Sequence, residues 1–424
     1  MSYEPVLIAG CDDPDNVTLK GYEKRGGYAT AKKVLKNMAP DEVVTQVKDS
    51  GLRGRGGAGF PTGLKWTFLA KDTGKPTYLA VNADESEPGT FKDRYLLERN
   101  PHQLIEGCLI AAWAIQAHDV YIYLRGEFPY GRDIVQAAID ECYEKGYLGD
   151  KVFGKDFRCN ITTVLGAGAY ICGEETGMLE SLEGKRGHPR NKPPFPAVEG
   201  LFNCPTIINN VESLSVLVPI LERGNDWFQS LGSEKNWGPK VWCVSGHVKK
   251  PGIYETALGL TINELLEEHC GGCRDGHSFK SAVPGGSSCG IVKASEFDTA
   301  LDFDALREVG SSLGTGGVMA WDDTTSIPEA LANFIEFYAE ESCGQCTPCR
   351  QGTGWAAGIL HRLVHGHYMD GDFDELERIA RGFTGTTICA LADAAAIPIH
   401  SYLAKFPEEF KAMAERAHAL TTGA

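Results

Sequence analysis

Four cysteines near the carboxyl end constrain this chain more than any other feature. Cys343, Cys346 and Cys349 lie in Ser342-Cys-Gly-Gln-Cys-Thr-Pro-Cys-Arg350, and Cys389 follows 40 positions later in Thr387-Ile-Cys-Ala-Leu391. Two consecutive C-x2-C steps place three thiolates in a loop small enough to surround one metal centre. That run, with a further cysteine elsewhere, is a spacing used for [4Fe–4S] clusters. A tetrahedral zinc site with four cysteine ligands also takes C-x2-C pairs, but usually as two separated pairs, so three plus one favours the cluster. Gly344 and Pro348 let the loop turn its sulfurs inward, and Arg350 adds a positive charge beside an anionic centre. An iron–sulfur centre moves one electron at a time, so the chain needs a source of electrons within it or beside it.

Length and charge narrow the remainder. The 424 residues suffice for two to four domains. With 41 Lys and Arg against 57 Asp and Glu, the net charge of −16 repels phosphate backbones, so no nucleic-acid partner is expected. The 14 cysteines are spread without the close spacing of a disulfide scaffold, which points to a reducing compartment. The opening Met1-Ser-Tyr-Glu-Pro-Val-Leu has no basic segment of a secretory signal. The longest apolar run, Cys108 to Ile115, falls far short of the ~20 residues of a spanning helix. No direct membrane insertion is expected; a membrane would be reached by docking to other subunits.

Along the chain, a helical pattern covers Tyr28 to Lys48, with a fresh start at Pro40-Asp41. It leads into Gly51-Leu-Arg-Gly-Arg-Gly-Gly-Ala-Gly-Phe-Pro-Thr-Gly63, in which Gly54, Gly56 and Gly59 satisfy G-x-G-x-x-G. A Rossmann reading of this loop fails on context, because a helix precedes it and Phe60-Pro61 separates it from any directly following helix. Its glycines, Gly57 included, let backbone N–H groups approach a flat or phosphorylated ligand, and Arg53, Arg55 and Lys65 suit the anionic part of one.

A strand over Thr77–Asn82 ends in Ala83-Asp-Glu-Ser-Glu-Pro-Gly-Thr90, where the ligands of open α/β sheets collect. Asn82, Asp84 and Ser86 suit a ribityl chain or an isoalloxazine edge, and Glu87 suits ribose hydroxyls. For Glu85 or Glu87 taken alone, capping the next helix is the better reading. Alternation continues through a helix (Leu104–Ala117), a strand (Val120–Arg125), a helix (Tyr130–Lys145) and a strand (Asn160–Leu165). Gly166-Ala-Gly-Ala-Tyr-Ile-Cys-Gly-Glu-Glu-Thr-Gly177 then opens a helix; Glu174 and Glu175 are either site carboxylates or charges of its first turn. A basic, proline-stiffened loop, Gly184 to Pro196, covers something, and Asn209-Asn210 present paired amides to a heterocycle. From Lys240 short strands and a helix from Thr261 to His269 read as a β-grasp-like module, with Gly314 to Gly317 as a turn. From Glu329 the chain is helical, with His361 and His365 as surface residues.

Taken in order, Gly54–Gly63, Asn82–Gly89, Gly166–Glu175 and Glu341–Arg350 resemble a known family. It is that of the flavin-bearing, NADH-oxidising subunit of respiratory complex I (the F subunit, or 51 kDa flavoprotein). The resemblance covers nearly the whole chain. It implies an α/β fold with a Rossmann-like FMN-binding domain, a small ubiquitin-like β-grasp domain and a C-terminal helical bundle. The domains expected are 1–238, 239–328 and 329–424. It implies FMN held at Gly54, Gly56, Lys65, Asn82, Asp84, Ser86, Tyr170, Gly173, Glu174, Asn209 and Asn210. NAD(H) is implied at Phe60, Phe68, Glu85, Glu87, Glu175, Lys192 and Phe195, and a [4Fe–4S] cluster on the four cysteines. The implied activity is NADH:quinone oxidoreduction beside a thioredoxin-like [2Fe–2S] subunit and a large iron–sulfur subunit. The implied location is cytoplasmic, peripheral to the inner membrane through the complex. The alternative within the resemblance is a diaphorase subunit of an NAD-linked hydrogenase or formate dehydrogenase.

Overall fold

A computed structural model describes residues 3–422. The first half of the chain is built on four parallel strands: β1 (Tyr78–Ala83), β2 (Asp119–Leu124), β3 (Asn160–Leu165) and β4 (Thr206–Asn210). Their spatial order is β3-β2-β1-β4. Parallel strands need crossovers, supplied here by helices Pro101–Ile115 and Pro129–Glu144. The first of these is buried along its whole length, because helices Ala29–Asn37, Pro40–Ser50 and Val211–Ser215 pack on its outer side. That explains its nearly unbroken apolar sequence, and Leu79, Ala80 and Val81 of β1 are likewise fully buried. The strand order reverses between β1 and β4, so the crevice at their carboxyl ends is the sheet's switch point.

A second, five-stranded sheet runs in the order Val292–Lys293, Phe279–Val283, Gly317–Asp322, Pro239–Gly246, Gly252–Ala257. Gly317–Asp322 pairs in parallel with Pro239–Gly246, and the remaining neighbours are antiparallel. Ile262–Glu264 leads into a π-helical turn at Leu265–His269 that buries Ile262, Leu265 and Leu266 with Trp242 and Val244. This is the strand–turn–strand–helix unit that the sequence predicts. The last part comprises helices Ile327–Glu341, Thr347–Val364, Asp372–Phe383, Leu391–Lys405 and Pro407–Thr422. Phe334, Tyr338, Leu360, Phe383 and Tyr402 form its core.

The predicted helix over 28–48 is two helices that divide where Pro40 starts the second. One expectation fails: Phe60-Pro61 does not separate the glycine loop from a helix. Thr62–Thr67 is helical, with Pro61 in the extended cap position, where a missing N–H costs nothing. No helix among the described residues is long and apolar enough to cross a membrane.

Candidate functional site

At the switch point lies a cavity of about 470 Å³. Its wall comes from all three parts of the chain: Gly56 and Gly57 of the glycine loop, Asn82 near the end of β1 with Asp84 to Glu87 after it, and Tyr170, Ile171, Gly173 and Glu174 after β3. Asn210 at the end of β4, Ser288 and Thr315 of the second sheet's loops, and Cys389, Leu391, Asp393 and Ile397 of the helical part complete it. Gly57 has φ +126°, a conformation that only glycine adopts readily. Gly59 lies where a side chain would strike the Phe303 ring, at 2.3 Å. Gly57 lines the cavity, and Gly59 lets the loop pass close to Phe303.

The polar groups of the wall are fixed before any ligand arrives. Asn82 donates from Nδ2 to the Gly173 carbonyl at 2.8 Å, and its Oδ1 accepts from the Asp84 N–H at 3.1 Å. Ser86 donates to Asp84, whose pKa burial pushes up to about 6. Asn210 caps helix Val211–Ser215 with Oδ1 and donates from Nδ2 to Asp93 at 2.7 Å.

Behind this wall, and reaching it through Lys92 and Asp93, lies a set of buried charges. Lys92 contacts Asp93 at 2.7 Å and Glu212 at 3.0 Å, and Lys240 contacts Glu212 at 2.7 Å. Burial opposes the Lys92 ammonium, but Asp93, Glu212 and Glu85 outweigh it and raise its pKa. Burial prevails at Lys240 and lowers it to about 8. Burial also works against the Glu212 carboxylate, yet Lys240, Lys92 and Arg55 hold it below the usual range.

The four candidate glutamates divide by role. Glu85 is buried and accepts from the N–H groups of Asp93 and Arg94 at 2.8 and 2.9 Å, capping helix Lys92–Arg99. Burial and the neighbouring Asp93 raise its pKa to about 7. Glu87 does not cap; Tyr170 donates its hydroxyl to it at 2.7 Å and Ser288 its N–H at 2.8 Å. Glu174 caps helix Glu175–Leu182 by accepting from Thr176 and Gly177. Glu175 bonds Lys65 at 3.0 Å and Lys192 at 2.8 Å, and the two lysines outweigh burial and lower its pKa.

Several predicted residues stand elsewhere. Arg55 does not present its side chain to the cavity: it is fully buried, donates to the Trp237 carbonyl at 2.8 Å and has no partner for Nε and Nη1 among the described residues. Arg53 lies over the Phe303 ring at 3.9 Å and reaches Asp304. Gly54 is set back from the lining, its N–H bonded to the Phe60 carbonyl to close the loop. Asn209 is likewise absent from the cavity wall; its Oδ1 accepts from Trp66 at 2.9 Å, because neighbouring strand residues face opposite ways. Lys65, Lys192 and Glu175 form a cluster outside the cavity wall, and Glu174 joins them to it. Phe60, Phe68 and Phe195 are about half exposed (47%, 54% and 57%), and the first two pack as a pair at 6.2 Å.

The four cysteines converge on one small gap that Ile171, Pro189 and Leu391 also line. Cys389 borders both this gap and the large cavity, and burial pushes its thiol up to about 11. Tyr170 couples the two sites: its N–H donates to Glu341 at 3.0 Å and its ring packs on Phe337 of the helix that precedes the cysteine loop.

Sequence reading missed Lys92, Asp93, Ser288, Cys289, Thr315 and Asp393 as lining residues. The Gly314–Gly317 segment, read as a turn, is a turn and a cavity wall together. Lys92-Asp93 carried a signal, two adjacent charges opening an amphipathic helix right after the acidic loop. The others come from distant segments and carried none.

Known proteins share both the sequence and the fold that build this site. The Nuo51 FMN-binding domain family matches residues 47–218, the SLBB domain family residues 241–292, and the NADH-ubiquinone oxidoreductase-F iron-sulfur binding region residues 329–413. The second F subunit of NADH-quinone oxidoreductase in Rhizobium meliloti (strain 1021) is 49% identical over 97% of this chain and 98% of its own. The F subunit of the same enzyme in Rickettsia felis is 52% identical over 93% of each chain. A crystal structure of an NAD+-reducing [NiFe]-hydrogenase in the air-oxidized state matches with TM-score 0.83 and 33% identity. That match covers 97% of this chain and 67% of the hydrogenase chain. The chain belongs to the family of NADH-quinone oxidoreductase F subunits.

Proposed function

We propose that this chain oxidises NADH on FMN in the switch-point cavity and passes the electrons through a [4Fe–4S] cluster on Cys343, Cys346, Cys349 and Cys389. Its acceptors would be partner iron–sulfur subunits of a multi-subunit NADH-quinone oxidoreductase. The carrying observation is Cys389, which forms part of the wall of the cavity and of the thiol gap, so the two centres would share a boundary. The residues present fit both groups. The cavity is within the ~300–1,000 Å³ of ligand pockets, with fixed amide and carboxyl groups on its wall, and the thiols are of the soft type that iron–sulfur clusters take. When bound, FMN would accept a hydride and release its two electrons singly, which a [4Fe–4S] cluster accepts one at a time.

The protein's own part is positioning. Gly56, Gly57, Asn82, Asp84, Ser86, Tyr170, Gly173 and Asn210 would seat the flavin, because these groups already face the cavity or support those that do. Phe60, Phe68 and Phe195 offer exposed aromatic surface on which an adenine would stack. Lys65 and Lys192, held by Glu175, would receive a phosphate without moving far. Glu87, held by neutral donors, would accept from a ribose diol and repel a 2′-phosphate. We take 1–238, 239–328 and 329–424 as the working domains, since the second sheet ends at Asp322 and the helical part begins at Ile327. Attachment to the cytoplasmic face of the inner membrane would come through a thioredoxin-like [2Fe–2S] subunit and a large iron–sulfur subunit.

The hydrogenase matches favour a second reading, a diaphorase subunit, but at 33–34% identity against 49–52% for the complex I relatives. Purification with flavin and iron analysis and an NADH:ferricyanide assay tests the activity, and co-purifying subunits separate the two assemblies. Stoichiometric flavin and iron with rapid ferricyanide reduction is expected. A zinc-bearing chain without flavin would contradict the proposal.

A further inference from the structure

The opposite end of the first sheet carries a cleft that the proposed reaction does not use. It lies where residues 145–155 run from the end of helix Pro129–Glu144 toward the amino end of β3, against the last turn of helix Ala29–Asn37. The cleft is about 840 Å³, and its lining includes Lys32, Lys36, Lys145, Lys151 and Lys155 but no Asp or Glu. In a chain with 57 acidic and 41 basic residues this is a marked local reversal. None of Lys36, Lys145, Lys151 and Lys155 has a carboxylate within 4.0 Å among the described residues, and Lys32 has only Glu23 at 3.9 Å.

Two of the five lysines are already anchored. Lys32 donates to the Tyr147 hydroxyl at 2.6 Å and lies 4.3 Å from that ring's centroid. Lys155 donates to the Leu35 carbonyl and sits 3.9 Å from the Trp113 ring. The cleft's Phe153 has φ +51°, a left-handed conformation unusual for an aromatic residue, and packs on Tyr147 at 4.7 Å. The five lysines come from two separate segments, Lys32 and Lys36 from one helix and Lys145, Lys151 and Lys155 from the loop facing it, and line one concavity together. Such convergence matches a compact, multiply charged anion. An acidic polypeptide or a nucleic acid would meet the repulsion of the whole −16 chain on approach. A small anion inside the cleft feels mainly the charges within a Debye length, about 8 Å at physiological salt.

We propose that this lysine cleft binds a pyrophosphate group, presented either by free inorganic pyrophosphate or by a nucleoside polyphosphate. Lysine serves such groups as a point charge. The test is calorimetric titration of the purified, cofactor-loaded chain with pyrophosphate and, separately, with ATP, each repeated on a charge-reversed cleft variant that leaves the other nucleotide site untouched. Saturable binding is expected. Lys36→Glu with Lys151→Glu should weaken it at least about tenfold, the loss that one charge-assisted hydrogen bond carries. Flavin content, iron content and NADH:ferricyanide rate should stay unchanged, which separates this result from any failure of the redox reading. ATP binding more tightly than pyrophosphate identifies a nucleotide ligand, and equal affinity identifies the pyrophosphate alone; either supports the cleft. No saturable binding, equal affinity in the charge-reversed variant, or tighter binding of a poly-glutamate peptide would overturn it.

Discussion

The loops after β1 and β3 look alike in sequence, each ending in a pair of acids, yet they hold those acids by opposite means. In both, one carboxylate caps a helix: Glu85 for Lys92–Arg99 and Glu174 for Glu175–Leu182. The loops part at their other members. After β1, Glu87 is held by a tyrosine hydroxyl and a backbone N–H, and the nearby cation, Lys92, is buried against Asp93 and Glu212. After β3, Glu175 meets two lysines at the surface. The first loop is thus a buried balance of charge with a neutral cradle above it, the second a partly solvated ion cluster. The difference follows from depth, since only the β1 loop lies between the first sheet and the second.

The largest expected effect of that difference is on stability. Lys92→Met leaves Asp93 and Glu212 without their shared cation and should cost about 3–5 kcal/mol in chemical denaturation. A loss below about 1 kcal/mol would show that the buried charges are not coupled. Next is pH dependence, in which the loops should differ in sign. Glu85 has a folded pKa of about 7 against 4.5, so its contribution is fully present below 4.5 and is lost as pH rises through 7. This group alone should remove on the order of 3 kcal/mol between pH 4.5 and 8, and Glu85→Gln should flatten that slope. Glu175 is shifted downward, so its contribution is present above 4.5 and is lost as pH falls below it. Glu175→Gln should therefore alter only the acid side.

Third, Glu87→Gln should raise the NADPH/NADH ratio of kcat/KM by about tenfold, the discrimination of a single lost repulsion. An unchanged ratio would remove Glu87 from nucleotide selection. The smallest change is expected for Lys65→Met: under about 1 kcal/mol in stability, because the Lys65–Glu175 pair is about a quarter exposed (27% and 26%). A rise in KM for NADH should accompany it.

Much of this arrangement was readable from the residues. The strand–loop–helix alternation located three of the four parallel strands within a residue or two, because each is an apolar run bounded by turn residues, whereas Thr206–Asn210 was read only for its paired amides. The cysteine spacing identified the second site because its first three members are neighbours in sequence. What escaped depends on direction or on distance. Asn209 and Asn210 read as one amide pair, although strand alternation sends the first to Trp66 and only the second to the cavity. Arg55 looked like an anion ligand, but the tight loop turns its side chain inward beneath Trp237. Ser288 and Thr315 reach the cavity from a separate sheet, and no local pattern announces a contact made across two hundred residues.

The central claim is that cavity and thiol gap act as one electron path through their common wall at Cys389. Anaerobic titration of the loaded chain with NADH, followed by absorbance and electron paramagnetic resonance, tests it most directly. The flavin band should bleach and a reduced-cluster signal should develop together. In Cys346→Ser the band should bleach without that signal. A flavin that bleaches in the intact chain while an intact cluster stays oxidised would contradict it.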